Sequence, residues 1–171
     1  VLFRSNGTGT TSHLAGELLQ QSSGLRLTHI PFKGASGAMT SLLGGEVEIG
    51  FPSTTSARPL IAAGKLRGIA VTTLRRSSVL PDLPTVASVY PGFDVDNWFA
   101  LWAPAGTPQA IIGKLHAEVV KALQHPDMKA YMEREGAEAV GSTPAEFAAH
   151  IQREIDKYAK IIRLSGARPD A

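Results

Sequence analysis

The chain contains no cysteine. That excludes disulfides, thiol nucleophiles and cysteine-ligated zinc, and it is compatible with an oxidising compartment. It also lacks any apolar run near the ~20 residues of a membrane-spanning helix. An excess of one charge is missing too, since 17 Lys and Arg stand against 15 Asp and Glu. Aromatics make up only 6 %, and none interleave with a basic face, so nothing electrostatic points to nucleic acid. The patterns H-x-x-x-H, H-E-x-x-H, G-x-S-x-G and S-x-x-K do not occur, which leaves no metal spacing and no nucleophile–base motif. No cofactor is implied.

The opening residues lack Met, a basic n-region and an apolar h-region, so no signal peptide is visible. VLFRS is also what one frame of a widely used sequencing adapter encodes. Val1–Ser5 are therefore expected to be a non-native leader, with the native frame opening near Asn6 inside a longer gene.

What is present is a 171-residue chain that is 43 % apolar and 19 % charged, enough to bury a core. Asn6–Ser12, NGTGTTS, reads as a loop. A helix with Leu14, Leu18 and Leu19 follows and stops at Gly24. Leu25–Ile30 reads as a strand, and Ser36 can cap a helix running to Leu43. Glu46–Phe51 alternates apolar and acidic residues as a strand does. Arg58–Ala63 reads as a short helix and Leu66–Thr72 as a buried strand. Leu74–Gly92, with Pro81, Pro84 and Pro91, is a connector. Val95–Trp102 is an extended apolar run.

Helices then dominate. Thr107-Pro108 predicts an N-cap and first helical position ahead of the stripe Ile111, Leu115, Val119, Leu123. A second helix is expected over about Asp127–Glu135. Thr143-Pro144-Ala145-Glu146 is a capping box ahead of the stripe Phe147, Ile151, Ile155, Tyr158, Ile162. The shift from alternating elements to helices marks a boundary near Trp98–Ala103.

Three loops carry candidate chemistry: Thr8–His13, Lys33–Ser36 and Ser53–Ser56. In an open α/β sheet all three would reach one edge, each rich in donors and short in side chain. Unpaired N–H groups at a helix start favour an anion, and threonine hydroxyls add adjustable donors. The same residues would also serve as ordinary helix caps and Ser/Thr turns. The glycines do not fit a dinucleotide loop, because Ser12 stands where the third is needed, and no Gly-Lys-Ser/Thr follows for a P-loop. His13 sits where an imidazole could face a cleft. His29, His116, His125 and His150 read as structural or solvated. The set suits binding a carboxylate rather than turning one over.

Several stretches resemble the solute receptors of tripartite tricarboxylate transporters, the Bug-type periplasmic binding proteins. They are GTGTTSHLAGELL at 7–19, HIPFKGASGAMTSLLGGEVEIGF at 29–51, LIAAGKLRGIAVTT at 60–73, RRSSVLPDLPTVASVYPGFD at 75–94, NWFALWAPAGTP at 97–108 and GSTPAEFAAHIQREIDKYAKIIR at 141–163. The resemblance implies an α/β, type II periplasmic-binding-protein-like fold, truncated at its N-terminal side. Residues 6–98 would be most of lobe two, and 99–171 the C-terminal, helical return into lobe one. It implies a non-enzymatic periplasmic receptor that captures a small carboxylate between lobes and delivers it to the large and small membrane subunits of a transporter, without spanning the membrane itself. Thr8, Gly9, Thr10, Thr11 and His13 would form the carboxylate loop, with Gly34, Ala35, Ser53 and Thr54 lining the cleft. Pro52-Ser53 stand where relatives often carry an acid or amide, which argues against an amino-acid ligand. A sensory receptor presenting its ligand to a signalling partner, or an α/β enzyme fragment, are the alternative readings.

Overall fold

A computed structural model describes residues 1–167. Two compact units divide them. One holds Val1–Asn97 and the chain from Lys157 onward; the other is Trp98–Asp156.

The first unit is built on a three-stranded parallel sheet in the order β2-β1-β3. Its strands are β1 (Leu2–Ser5), β2 (Thr28–Pro31) and β3 (Ile49–Gly50), each followed by a helix: α1 (Thr11–Ser23), α2 (Ala35–Leu43) and α3 (Thr54–Ala62). Leu2–Ser5, expected as a leader, thus occupy the centre of the sheet, pairing Phe3 with both His29 and Ile49.

The pleat of β1 explains the layers. Successive side chains alternate faces. Phe3, fully buried, lies against α1, where the missing side chain of Gly16 leaves room for its ring. Arg4 turns the other way, to Met39 of α2. α1 ends on Gly24, whose φ of 72° is the left-handed geometry a side chain resists.

The unit's core joins Ala15, Phe93 and Val95, with Leu18, Leu19, Phe51, Val86, Tyr90 and Tyr158 packed on it. Burying rings such as Phe93 is worth about 1.5–3 kcal/mol each. Gln21 donates to the Ile161 carbonyl (3.2 Å), and Lys157 pairs with Asp94 (3.4 Å), tying the chain at 157–161 to this core.

Several strand expectations change. β3 covers only Ile49–Gly50 of the expected Glu46–Phe51. Leu66–Thr72 forms no strand; a single parallel bridge joins Val71 to Thr85. A strand is held by a neighbour's ladder, and the described residues supply none beside this run. α3 starts at Thr54, four residues before Arg58, and carries Pro59 in its first turns. The N-cap of α2 is Gly34, not Ser36.

The second unit holds α4 (Gln109–Gln124), α5 (Pro126–Glu135) and the start of α6 (Pro144–Ser165). Pro108, expected at the first helical position of α4, is its N-cap. The capping box of α6 is complete. The Thr143 N–H donates to Glu146 Oε2 (2.8 Å) and the Glu146 N–H donates to Thr143 Oγ1 (3.2 Å). Trp98 meets Phe147 and His150 edge-on and donates from its indole N–H to Glu154 (3.3 Å). The expected stripes are partly turned outward. Ile111, Leu115, Ile155 and Ile162 are exposed, and the inner line of α6 runs through Phe147, Ile151, Glu154, Tyr158 and Ile161. Phe99, Leu101 and Trp102 are exposed as well.

Candidate functional site

The chain leaves β1 toward β2 on one side and returns from β2 to β3 on the other. In such a sheet the ligand crevice lies outside the carboxyl ends of the strands where the direction reverses, here between β1 and β3. The loops 6–10 and 52–53 leave from those two ends. The loop 32–34 leaves β2 on the far side of β1 and touches the first loop, since the Gly34 N–H donates to the Asn6 carbonyl (3.1 Å).

All three helices that start at this edge do so without a side-chain cap. Their N-caps are Thr10, Gly34 and Ser53, and none makes a capping hydrogen bond. Helix geometry leaves the first N–H groups without intrahelical partners, and the dipole is positive there. The hydroxyls that would normally cap are engaged elsewhere. Thr10 Oγ1 donates to the Gly7 carbonyl (2.6 Å) and meets Ser12 Oγ (3.0 Å). Ser53 Oγ meets Ser56 Oγ (3.0 Å). Gly34, at φ 100°, brings backbone rather than side chain to the start of α2.

The loop 6–10 is stiff because its own backbone is bonded. The Asn6 N–H donates to Ser12 Oγ (3.0 Å), the Gly7 N–H to Ser5 Oγ (3.1 Å) and the Gly9 N–H to His13 Nδ1 (3.0 Å). Gly7 and Gly9 take φ values of 138° and 79°, which the tight path requires. Gly9 is exposed; Thr8, Thr10 and Thr11 are half-buried.

His13 is not on the loop surface. It is 4 % exposed and lies under the loop. Its ring stacks on His29 with centroids 3.8 Å apart and planes 8° from parallel. His29 in turn stacks on Phe3 (5.0 Å) and meets Ser5 Oγ at 2.6 Å. The His13 Nε2 lies 3.5 Å from Glu17 Oε1. Of the expected site residues, Thr8, Gly9, Thr10, Thr11, Gly34, Ala35, Ser53 and Thr54 all lie at this strand-end edge, with Ser53 and Thr54 on the β3 side of the crevice. Ser5 and His29 join this cluster from outside the three expected loops, and Ser12 joins it from within Thr8–His13. The signal for Ser12 was present in the hydroxyl-rich run before α1, whereas His29 reaches His13 only through sheet pairing.

Among the described residues no group of three or more His, Asp or Glu side chains comes together as a metal site. No described helix is long and apolar enough to cross a membrane. An open depression lined by Glu118, Lys121, Ala122, His125, Asp127 and Met128 belongs to the second unit, between α4 and α5, and not to the strand ends where the donors gather.

Parallel strands with uncapped helix starts at a common edge define an α/β unit that gathers helix N-termini at its strand ends. Comparison with known proteins gives the family. Residues 1–166 match the sequence model of the tripartite tricarboxylate transporter family receptor, TctC, and the chain belongs to that family. It is similar to R. palustris Rpa4515 solved with adipate, at 31 % identity and a TM-score of 0.88 over 99 % of this chain and 57 % of that one. It is also similar to the periplasmic binding protein BugD, at 34 % identity and a TM-score of 0.84 over 99 % and 58 %. A UPF0065 protein from the tcbD-tcbE intergenic region of Pseudomonas sp. strain P51 is 36 % identical over 94 % of this chain and 48 % of its own length. The chain thus spans about half the length of the first curated relatives it matches. Neighbours of this fold include the periplasmic binding protein BugD and a TctC solute binding protein from Polaromonas, so the expected α/β class of type II periplasmic binding proteins holds.

Proposed function

We propose that this chain is part of a non-catalytic periplasmic receptor and binds one carboxylate of a small dicarboxylate at the ends of β1 and β3. The observation that carries the reading is the set of three helix starts without side-chain caps at one sheet edge. Thr8, Gly9, Thr10 and Thr11 form the carboxylate loop, and Gly34, Ala35, Ser53 and Thr54 complete the edge. The adipate bound by a neighbour of the same fold supports the ligand class.

Chemically, the arrangement holds charge and does not transform it. Backbone N–H groups donate to an anion at fixed positions, hydroxyls adjust to its orientation, and bridging water fills the remainder. Two or three charge-assisted bonds of about 1.5–3 kcal/mol each come to about 3–9 kcal/mol, of which the costs of association take most. Closure of a second lobe over the ligand would raise what remains and create a surface for the large and small membrane subunits of a tripartite carrier. The absence of an acid or amide after β3, where Pro52-Ser53 stand, favours dicarboxylates over amino acids.

The test is an amide NMR titration of the chain with adipate, against the neutral diol of the same length. Adipate should move the amides of residues 7–12 and 53–55 while the diol does not. If both leave those amides unmoved, the carboxylate reading fails.

A further inference from the structure

The stacked pair His13–His29 lies beneath the proposed carboxylate loop. We propose that His13 is a positioning residue: clamped on His29, it accepts the Gly9 N–H at Nδ1 and so holds the loop in its anion-receptive shape only while it is neutral. The inference rests on the reading of the loop as the ligand loop.

The hydrogen-bond roles are set by chemistry. A backbone N–H only donates, so the Gly9 contact at 3.0 Å requires an unprotonated Nδ1 on His13. The proton of the neutral ring then sits on Nε2, facing Glu17 Oε1 at 3.5 Å. Adding a second proton at Nδ1 would set two donors against each other, and Gly9 would have to move. Gly9 is the exposed partner, with open space where a side chain would stand. His13 itself cannot move, because it is 4 % exposed and pressed flat on His29 at 3.8 Å. Strain on protonation therefore falls on the loop.

Among the groups in contact with His13 are Glu17 on α1, His29 on β2 and the neutral Phe3 on β1. Glu17 favours the cation. The helix start, the Gly9 N–H and a second imidazolium at stacking distance oppose it. Arg4 projects to the opposite face of the sheet, toward Met39.

Two variants separate the roles. His13→Asn keeps an acceptor near the Nδ1 position and does not titrate. His13→Phe keeps a ring on His29 and removes the acceptor. In the ligand-free chain, the Gly9 amide shift should follow protonation of the His13 ring, read from its own imidazole signals. In His13→Asn that shift should stay constant across the same pH range. At neutral pH, His13→Phe should bind adipate about tenfold more weakly, the loss of one hydrogen bond that orients the loop, with His13→Asn within a fewfold of the parent. A His13 ring that protonates while Gly9 stays still would overturn the clamp, as would equal adipate binding by His13→Phe and His13→Asn. If the ligand-free Gly9 amide tracks the ring but adipate moves no loop amide in any form, the clamp stands and the carboxylate reading falls.

Discussion

Replacing Arg4 by Met should stabilise the protein. Arg4 sits on the central strand and is 2 % exposed, yet its Nε has no hydrogen-bond partner. Its one recorded side-chain bond, to Met39 Sδ at 3.7 Å, goes to a weak acceptor. Among the described residues no carboxylate pairs with it. Burial holds its pKa below the ordinary arginine value, so the folded state disfavours the charged form. The sign follows from linkage. Below the lowered folded pKa the guanidinium is charged in both states and the penalty is constant; it recedes only as pH rises through that pKa. An unsatisfied buried polar group costs about 1–3 kcal/mol, and Met keeps most of the stem volume without the charge. For a chain of this size each kcal/mol moves Tm by roughly 2–4 °C, so Arg4→Met should raise Tm by about 2–12 °C. Circular-dichroism melts at two pH values around neutrality should show the same gain at both. A lower Tm for Arg4→Met would refute the reasoning and show that the guanidinium holds the sheet.

Gly16→Ala should destabilise even though Ala is the better helix former. The propensity gain is about 1 kcal/mol, but the new methyl would enter the space of the Phe3 ring, which is fully buried and cannot turn away. Overpacking costs about 1–3 kcal/mol, and a chemical-denaturation midpoint above the parent would show that the sheet yields. The α6 start should weaken in acid. The Thr143 backbone N–H, then its hydroxyl, hold the Glu146 carboxyl below the usual range; a depressed acid stabilises above its unfolded pKa and loses that contribution as pH falls through the folded value. Thr143→Ala should lose about 1 kcal/mol at neutral pH, whereas Glu146→Gln, which no longer titrates, should flatten the acid dependence, and an unchanged acid melt of Glu146→Gln would count against the capping box as its source.

Local signals were legible in the sequence and the long-range ones were not. Gly24 and the Thr143–Glu146 box were readable because each acts within a turn of its own helix. Strand extents failed for the opposite reason. Glu46–Phe51 has strand periodicity throughout, but only Ile49–Gly50 finds a partner, in β1. Ser36 could have capped α2, yet the chain enters the helix two residues earlier because Gly34 supplies a φ of 100°. The three donor-rich loops reach one edge because parallel strands with helical returns must bring their carboxyl ends there.

The sequence alone determined the α/β class and the three donor-rich loops, since these depend on residue type, spacing and local geometry. Tertiary structure alone decided what lies under the loop. His13 and His29 are separated by α1 and meet only because β2 pairs with β1. Pairing across the sheet turned a histidine that looked ready to face a ligand into one that grips the loop's backbone from within.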